Sequence, residues 1–182
     1  VAMVHYGNRA IVVDASLHTP NLGIHLGSPR LEATLHHVLF GKCHPNDAIY
    51  SHPSGVHVMP ASHDYASIRD ASLSEFHKTI DHLRTTSHLV VIDTSPGYGE
   101  DVGHAMHVSD GAVIITTPDL AAVSEAIRIK QFAADRDTPI IGAIVNRVHH
   151  DDAELSRRNI SSLLQVPIIS YVPEDDLVRK SQ

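Results

Sequence analysis

The sequence contains little cysteine, no tryptophan and no excess of positive charge. Cys43 is the only cysteine, which excludes an internal disulfide and any metal site that takes two thiolates from one chain. A single cysteine is also typical of a reducing compartment. Fourteen Lys and Arg against 21 Asp and Glu leave a net charge of -7, which offers no general attraction to nucleic acid or anionic lipid.

Long hydrophobic runs are also missing. No stretch approaches the roughly 18 to 20 apolar residues of a membrane span, and no signal-peptide pattern is present. These absences predict a cytoplasmic location. The 182 residues, 42% of them hydrophobic and 19% charged, predict a single globular domain over residues 1–182.

Short apolar runs bounded by turn residues recur along the chain. They are β-branched and nearly continuous, which is typical of strands buried on both faces of a parallel sheet. The predicted strands are residues 10–13, 56–59, 89–92, 112–115, 140–145 and 166–172. Helical patterns alternate with them, so the predicted class is α/β, with a doubly wound, mostly parallel sheet and right-handed crossovers.

Three helices are predicted from the spacing of apolar residues. The first begins at a capping box of Ser72 and Glu75 and runs to about Thr85. The second opens at Asp119, and the third begins near Asp152. The residues expected to face inward are Phe76, Ile80 and Leu83 on the first helix, Leu120, Val123 and Ile127 on the second, and Ile160, Leu163 and Leu164 on the third.

Polar residues follow several of the predicted strands. They are Asp14, Asp93, the pair Asn146 and Arg147, and the turn Pro173, Glu174 and Asp175. Ligands of parallel α/β sheets bind at the carboxyl ends of the strands, so these residues outline a candidate site. For each acid the alternative is a capping role for the next helix.

The segment DTSPGYG, which begins at Asp93, carries the chemistry of a phosphate site. An acid at the end of a buried strand can bind water on Mg2+, and a glycine turn lets a backbone N–H approach a terminal phosphate. The segment has the form of a Walker B and switch II element. Its partner is VVDAS, where Asp14 leads from a strand into a loop.

These segments, in this order, resemble the MinD/ParA family of deviant P-loop ATPases, and most closely its MinD-like branch. VVDASLHTPNLGIHLG is similar to switch I, VVIDTSPGYG to switch II and IITTPDLAAVSEA to the strand and helix that follow. IIGAIVNRV and VPIISYVPEDDLVRKS resemble the segments that hold adenine. The resemblance covers nearly the whole chain. It implies ATP and ADP binding with Mg2+, a homodimer controlled by nucleotide, and a protein regulator of cell division or partitioning as partner.

The resemblance also implies residue roles. Asp14, Ser16 and Asp93 would be catalytic, and Asp93 would serve the metal through water. Asn146 would hydrogen-bond the purine. The full set implied for nucleotide binding is Asn21, Gly97, Asn146, Arg147, Pro173, Glu174 and Asp175.

The sequence departs from the family pattern in two ways. The glycine-rich loop ending in G-K-[ST], whose N–H groups and lysines attract the triphosphate, does not occur in these residues. Because VAMVHYGNRA matches the end of the helix that follows that loop, we expect a chain truncated there. We expect truncation also after Gln182, where relatives continue and MinD proteins end in a membrane helix. Ser16 stands where the family usually carries a second acid, which predicts slow hydrolysis, since a hydroxyl cannot take the proton of water.

Two alternative functions stay open. The first is a non-catalytic adaptor that keeps the fold and the dimer surface but has lost turnover, which Ser16 favours. The second is an ATPase for metallocofactor maturation, which normally needs two cysteines per subunit and is disfavoured by the lone Cys43.

The 16 histidines invite a metal-site interpretation. His36 and His37, like His149 and His150, are adjacent, and adjacent side chains diverge. His104 and His107 are three apart and could share one helix face, but no third ligand is evident from the sequence. Solvated histidines are therefore the expected state.

Overall fold

The computed structural model describes residues 2–25, 27, 31–62, 73–149, 151 and 153–180. The strands are β1 (Ala10–Asp14), β2 (Tyr50–Ser51), β3 (His57–Met59), β4 (Leu89–Asp93), β5 (Ala112–Thr116), β6 (Ile140–Val148) and β7 (Ile168–Pro173). The α-helices are α1 (Ala2–His5), α2 (Leu22–His25), α3 (Leu35–Leu39), α4 (Leu73–Thr86), α5 (Glu100–His107), α6 (Leu120–Ala134), α7 (Arg157–Leu164) and α8 (Asp176–Lys180), and a short 3-10 helix spans Pro45–Ala48.

The chain divides into two compact units, Val1–Val108 and Ser109–Gln182. The first unit holds a four-stranded sheet in the order β2-β3-β1-β4. β1 pairs in parallel with both β3 and β4, and the two-residue β2 pairs antiparallel with β3. β1 is therefore an inner strand of this sheet, and its residues are almost wholly buried.

The core of the first unit forms around helix α4. Phe76, Ile80 and Leu83 are at most 2% exposed, and they pack in one cluster with Ile11 and Val13 of β1. The predicted apolar stripe of this helix is confirmed for these three side chains, since their spacing places them on one face. The proposed cap residue, Ser72, lies outside the described residues.

The second unit contains three parallel strands in the order β5-β6-β7. Helices α6 and α7 supply Val123, Ala126, Ile160 and Leu164 to the same buried cluster as Ile114 of β5. Both helices therefore cover one side of this sheet.

Burial on both faces is a wrong prediction for β4, where Val91 is 44% exposed, and for the sheet of the second unit. Alternate apolar residues of its strands, on the side away from Ile114, are 42–59% exposed: Val113, Ile115, Ile141 and Ile169. Leu120 and Leu163 are also exposed, at 64% and 41%, where the helical spacing predicted burial. Leu120 stands at the first position of α6, before the helix turns its apolar side to the sheet.

Two predicted boundaries are also corrected. Helix α7 begins at Arg157 and not near Asp152, because the Ser156 hydroxyl caps it by accepting the Asn159 N–H at 3.2 Å. Strand β6 does not end at Val145. Its pairing with β7 shifts after Val145 and resumes at Val148, so the chain continues in the sheet through an irregularity.

The α/β class with a mostly parallel sheet and alternating helices is confirmed. Among the described helices, none combines the length and the apolar character needed to cross a bilayer.

Candidate functional site

Two carboxylates stand side by side at the carboxyl end of the first sheet. Asp14 ends β1 and Asp93 ends β4, and the two residues are direct partners in the parallel register. Adjacent strands lie about 4.8 Å apart, and register partners project to the same face. The Ala15 N–H donates to the Asp93 carbonyl at 2.7 Å, which ties the strand ends together. We call Asp14 and Asp93 the acid pair.

Asp14 is fully buried and organises the loop after β1. Its Oδ1 accepts the N–H of Ser16 and its Oδ2 accepts the N–H of Leu22, both at 3.1 Å. Leu22 is the first residue of α2, so the carboxylate also caps that helix. Burial raises the pKa of Asp14 and the negative charge of Asp93 raises it further, while backbone N–H donors of Leu22, Ser16 and Asn21 lower it.

Asp93 is the open member of the acid pair. Asp93 as a whole residue is exposed, but its carboxyl group is partly shielded from water. This shielding raises the pKa of Asp93, and the positive charge of His25 lowers it. Two neighbouring carboxylates with raised pKa values favour a proton or a cation beside them. The acid pair therefore has the charge and the oxygen donors that suit a hard divalent cation.

Ser16 and Asn21 lie on the loop that Asp14 organises. Ser16 is 8% exposed, and its carbonyl accepts the N–H of Thr19 at 3.2 Å. Asn21 is exposed, and its carbonyl accepts the N–H of His25 at 3.1 Å. The structure thus brings Ser16 next to the acid pair in a folded turn.

The loop after β4 offers hydrogen-bond donors beside Asp93. The Ser95 hydroxyl is buried and has no hydrogen-bond partner among the described residues. Gly97 has a φ of 95°, which favours glycine, and nothing lies within 4 Å of the position a Cβ would take. A hydroxyl without a partner in the loop that follows Asp93 can donate to an anionic group such as a phosphate, which a carboxylate cannot do. The sequence analysis assigned no role to Ser95, although it lies two residues after Asp93.

The remaining predicted residues gather at the ends of β6 and β7. Arg147 has a φ of 58°, and its Nε donates to Glu174 Oε2 at 2.8 Å. The Glu174 N–H donates to the Val148 carbonyl at 3.1 Å. Asn146 precedes this ion pair and is half-buried. Asp175 caps α8, since its Oδ1 accepts the Leu177 N–H at 2.8 Å.

The predicted site residues therefore form two groups. Asp14, Ser16, Asn21, Asp93 and Gly97 belong to the unit Val1–Val108. The second group belongs to Ser109–Gln182, and its members are Asn146, Arg147, Pro173, Glu174 and Asp175. Within each unit the structure brings together residues that are distant in the sequence.

A cluster of three histidines lies in the first unit, between α4 and α5. His77 Nε2 lies 3.2 Å from His104 Nδ1, and the His77 ring stacks on His107 with centroids 5.2 Å apart. His104 and His107 thus both contact His77, as expected if they share one face of α5. No group of three or more metal-ligating side chains in the described part of the chain is arranged to hold a metal ion. His150 lies outside the described residues.

Acid should destabilise the first unit through His77. Burial lowers the pKa of His77, the charges of His104 and His107 lower it further, and Asp81 opposes them. A histidine whose pKa is lower in the folded state than in the unfolded state contributes stability above the unfolded pKa of about 6.5, and this stability is lost as the pH falls. We expect His77→Gln to lose less unfolding free energy than the wild type between pH 7.5 and pH 5.5, measured by urea titration. His5→Gln, an exposed control at the end of α1, should follow the wild type; equal losses in all three proteins would contradict the prediction.

Comparison with known proteins gives relatives over the whole chain. No protein-family model matches the sequence. An uncharacterized ATP-binding protein of Methanocaldococcus jannaschii is 34% identical over 181 residues, which span 100% of this chain and 69% of the relative. The septum site-determining protein MinD of Synechocystis is 26% identical over 97% of this chain and 69% of its own length. Among solved structures, MinD of Pyrococcus horikoshii, complexed with Mg-ADP, matches with a TM-score of 0.91 and 24% identity, over 99% of this chain and 74% of that one.

Proposed function

Because the chain belongs to the MinD/ParA family of P-loop ATPases, we propose that it binds adenine nucleotide with Mg2+ and works as a slow, nucleotide-dependent dimerising switch. The observation that carries the proposal is the register pairing of Asp14 with Asp93. In this proposal residues 1–182 act as a single MinD-like ATPase domain. The switch acts in the cytoplasm and positions division or partitioning machinery through a protein regulator.

The acid pair and Ser95 support the magnesium and phosphate end of the site. Asp93 would hold Mg2+ through water, and the unpartnered Ser95 hydroxyl would donate to a phosphate oxygen or to metal-bound water. When bound, Mg2+ neutralises charge on the phosphate oxygens. Asp14 keeps the Ser16 loop folded with both carboxylate oxygens, and Gly97 leaves room for the backbone to approach a phosphate.

The second group of residues supports the base end. The half-buried Asn146 offers an amide that can both donate to and accept from a purine edge. Arg147 Nε lies 2.8 Å from Glu174 Oε2, and this ion pair connects the turn from Pro173 to Asp175 with the end of β6. Arg147 would thus contribute through the shape of the base pocket.

Ser16 sets the expected rate of hydrolysis. A serine hydroxyl can orient the attacking water but cannot take its proton. We expect Ser16→Asp to raise kcat for ATP hydrolysis by about tenfold or more, at the low end of general-base effects. Single-turnover hydrolysis measures this, with Ser16→Asn as the control of matched shape that cannot act as a base. An unchanged rate in Ser16→Asp, with nucleotide binding intact, would contradict this role.

Nucleotide binding and dimerisation together test the proposal against the adaptor alternative. The full-length gene product should bind ATP in a calorimetric titration with Mg2+ and less tightly with EDTA. Sedimentation should show dimers with ATP and monomers with ADP. A protein that dimerises to the same extent without nucleotide, and binds none, would be the adaptor.

A further inference from the structure

His36 is a buried histidine that the proposed chemistry does not use. Its side chain, on helix α3, is 0% exposed, and both ring nitrogens are within hydrogen-bond distance of the backbone. Nε2 lies 3.2 Å from the Leu17 carbonyl, and Nδ1 accepts the N–H of Ser62 at 3.0 Å. The neighbouring His37 turns elsewhere, to the Thr34 hydroxyl at 2.8 Å.

These two contacts define the protonation state of the ring. The Ser62 backbone can only donate here, so Nδ1 must carry a lone pair. Nε2 then carries the single proton and donates it to the Leu17 carbonyl. Neutral His36 therefore satisfies both partners, whereas the doubly protonated ring would set an N–H against the N–H of Ser62.

Leu17 connects His36 to the acid pair. The Leu17 side chain is 6% exposed and packs in the core of the first unit, and its N–H donates to the Ala15 carbonyl at 2.9 Å. Ser16 lies between Leu17 and the turn that the Asp14 carboxylate holds. Asp14 thus holds the loop at Ser16 and at Leu22, and His36 holds it at Leu17, next to Ser16.

We infer that His36 is a positioning residue, which holds Ser16 beside the acid pair through its hydrogen bond to the Leu17 carbonyl. The inference rests on the proposed function only for its effect on hydrolysis. Its effect on the loop is a property of this chain alone. No nucleotide is needed to observe it.

Charge around His36 supports a neutral ring. Burial lowers the pKa of His36, the charges of His37 and His18 lower it further, and the Leu17 carbonyl opposes them. Between the lowered pKa and the unfolded value of about 6.5 the ring stays neutral in the folded protein. Acid that protonates His36 should therefore break the contact of Nδ1 with the Ser62 N–H and leave the Nε2–H donation to the Leu17 carbonyl in place.

Two substitutions separate the two contacts. In His36→Gln the side-chain amide nitrogen can occupy the place of Nε2 and keep the donor to Leu17, but the acceptor for Ser62 is lost. In His36→Asn the side-chain oxygen takes the place of Nδ1 and keeps the Ser62 contact, but nothing reaches Leu17. Each variant leaves one buried backbone group unpaired, so the two should lose similar global stability.

Hydrogen exchange of the full-length gene product without nucleotide tests the inference. The amides to follow are those of Ser16 and Leu22, which donate to Asp14, with strand amides of β1 as the reference for global unfolding. We expect His36→Asn to speed exchange at Ser16 and Leu22 by about tenfold, the effect of about one lost hydrogen bond. His36→Gln should stay within about threefold of the wild type, and so should the control His37→Gln.

Hydrolysis gives a second readout. If ATP is hydrolysed, His36→Asn should lower kcat by about tenfold and leave KM near the wild-type value, and His36→Gln should restore most of kcat. The inference would be overturned if Ser16 and Leu22 exchanged at equal rates in His36→Gln and His36→Asn, or if their exchange changed only as much as that of the β1 amides. Neither result would affect the proposal that the protein binds nucleotide. If the exchange rates were as expected but the protein bound no nucleotide, the role of His36 would stand and the proposed function would be overturned.

Discussion

Asp93→Asn is expected to weaken Mg2+-dependent nucleotide binding by about 10- to 100-fold, the usual cost of losing a group that holds a metal through its ligands. The substitution keeps the shape of the side chain and removes the open carboxylate of the acid pair. Binding with EDTA should change little, because the amide still fits the strand end. Calorimetric titrations with ATP in Mg2+ and in EDTA, on the full-length gene product, measure both values.

The control for Asp93 is an exposed acid in another place. Asp135 stands at the C-terminal end of α6, where only its backbone N–H makes the capping contacts. Asp135→Asn should bind nucleotide like the wild type. A Mg2+-dependent affinity of Asp93→Asn equal to that of Asp135→Asn would contradict a metal role for Asp93.

Asp14→Asn is expected to reduce both stability and hydrolysis. Two backbone N–H groups, of Ser16 and Leu22, point at the two oxygens of this buried carboxylate. The asparagine amide offers one oxygen, so one N–H loses its acceptor inside the protein, at a cost of about 1–3 kcal/mol of unfolding free energy. Because the loop that carries Ser16 then loosens, kcat should fall by about 100-fold, as when a preorganised polar contact of an active site is removed.

A second two-oxygen cap in the same chain separates these effects. Asp119 caps α6 with Oδ1 on the Ala122 N–H, and its Oδ2 accepts the Thr117 hydroxyl. Asp119 is exposed, so Asp119→Asn should cost about 1 kcal/mol or less and leave hydrolysis unchanged. Urea titration and steady-state hydrolysis of both variants test this contrast. Equal effects of the two substitutions on hydrolysis would exclude a special role for Asp14.

Local pattern was enough to predict all the described strands except β2, and the three helices α4, α6 and α7, but not helices such as α3 and α5. The runs at β1 and β4 and the stripe of Phe76, Ile80 and Leu83 depend on side-chain periodicity, which the sequence carries directly. The course of β6 beyond Val145 depends on its pairing with β7, where the register shifts, and no local signal carries that. The exposure of one side of the second sheet was missed for a similar reason. Periodicity shows which residues are apolar, but it does not show which neighbours cover them.

The candidate site was predictable where its residues follow strand ends. Asp14 and Asp93 meet because parallel strands in register bring their carboxyl ends together. The dual use of Asp14, as a cap for α2 and as a member of the acid pair, needed the loop path up to Leu22. Ser95 could have been noticed from its place in DTSPG, but its lack of a partner is visible only in three dimensions.

The histidines show the limit of sequence pattern most clearly. His36 and His37 are identical neighbours in the chain, yet one is a fully buried link to Leu17 and the other binds Thr34. His77 meets His104 from another helix, 27 residues away in the sequence. Spacing along one helix indicated only the pair of His104 and His107.

Replacing Mg2+ by paramagnetic Mn2+ in the nucleotide-bound, full-length gene product tests the central claim most directly. Amide resonances near the bound ion broaden, so their positions locate the metal. We predict selective broadening at Asp93 to Gly99 and at Asp14 to Leu17, and its loss in Asp93→Asn. Broadening centred on His77, His104 and His107, or no selective broadening with nucleotide bound, would contradict the assignment of the acid pair as the magnesium and phosphate end of the site.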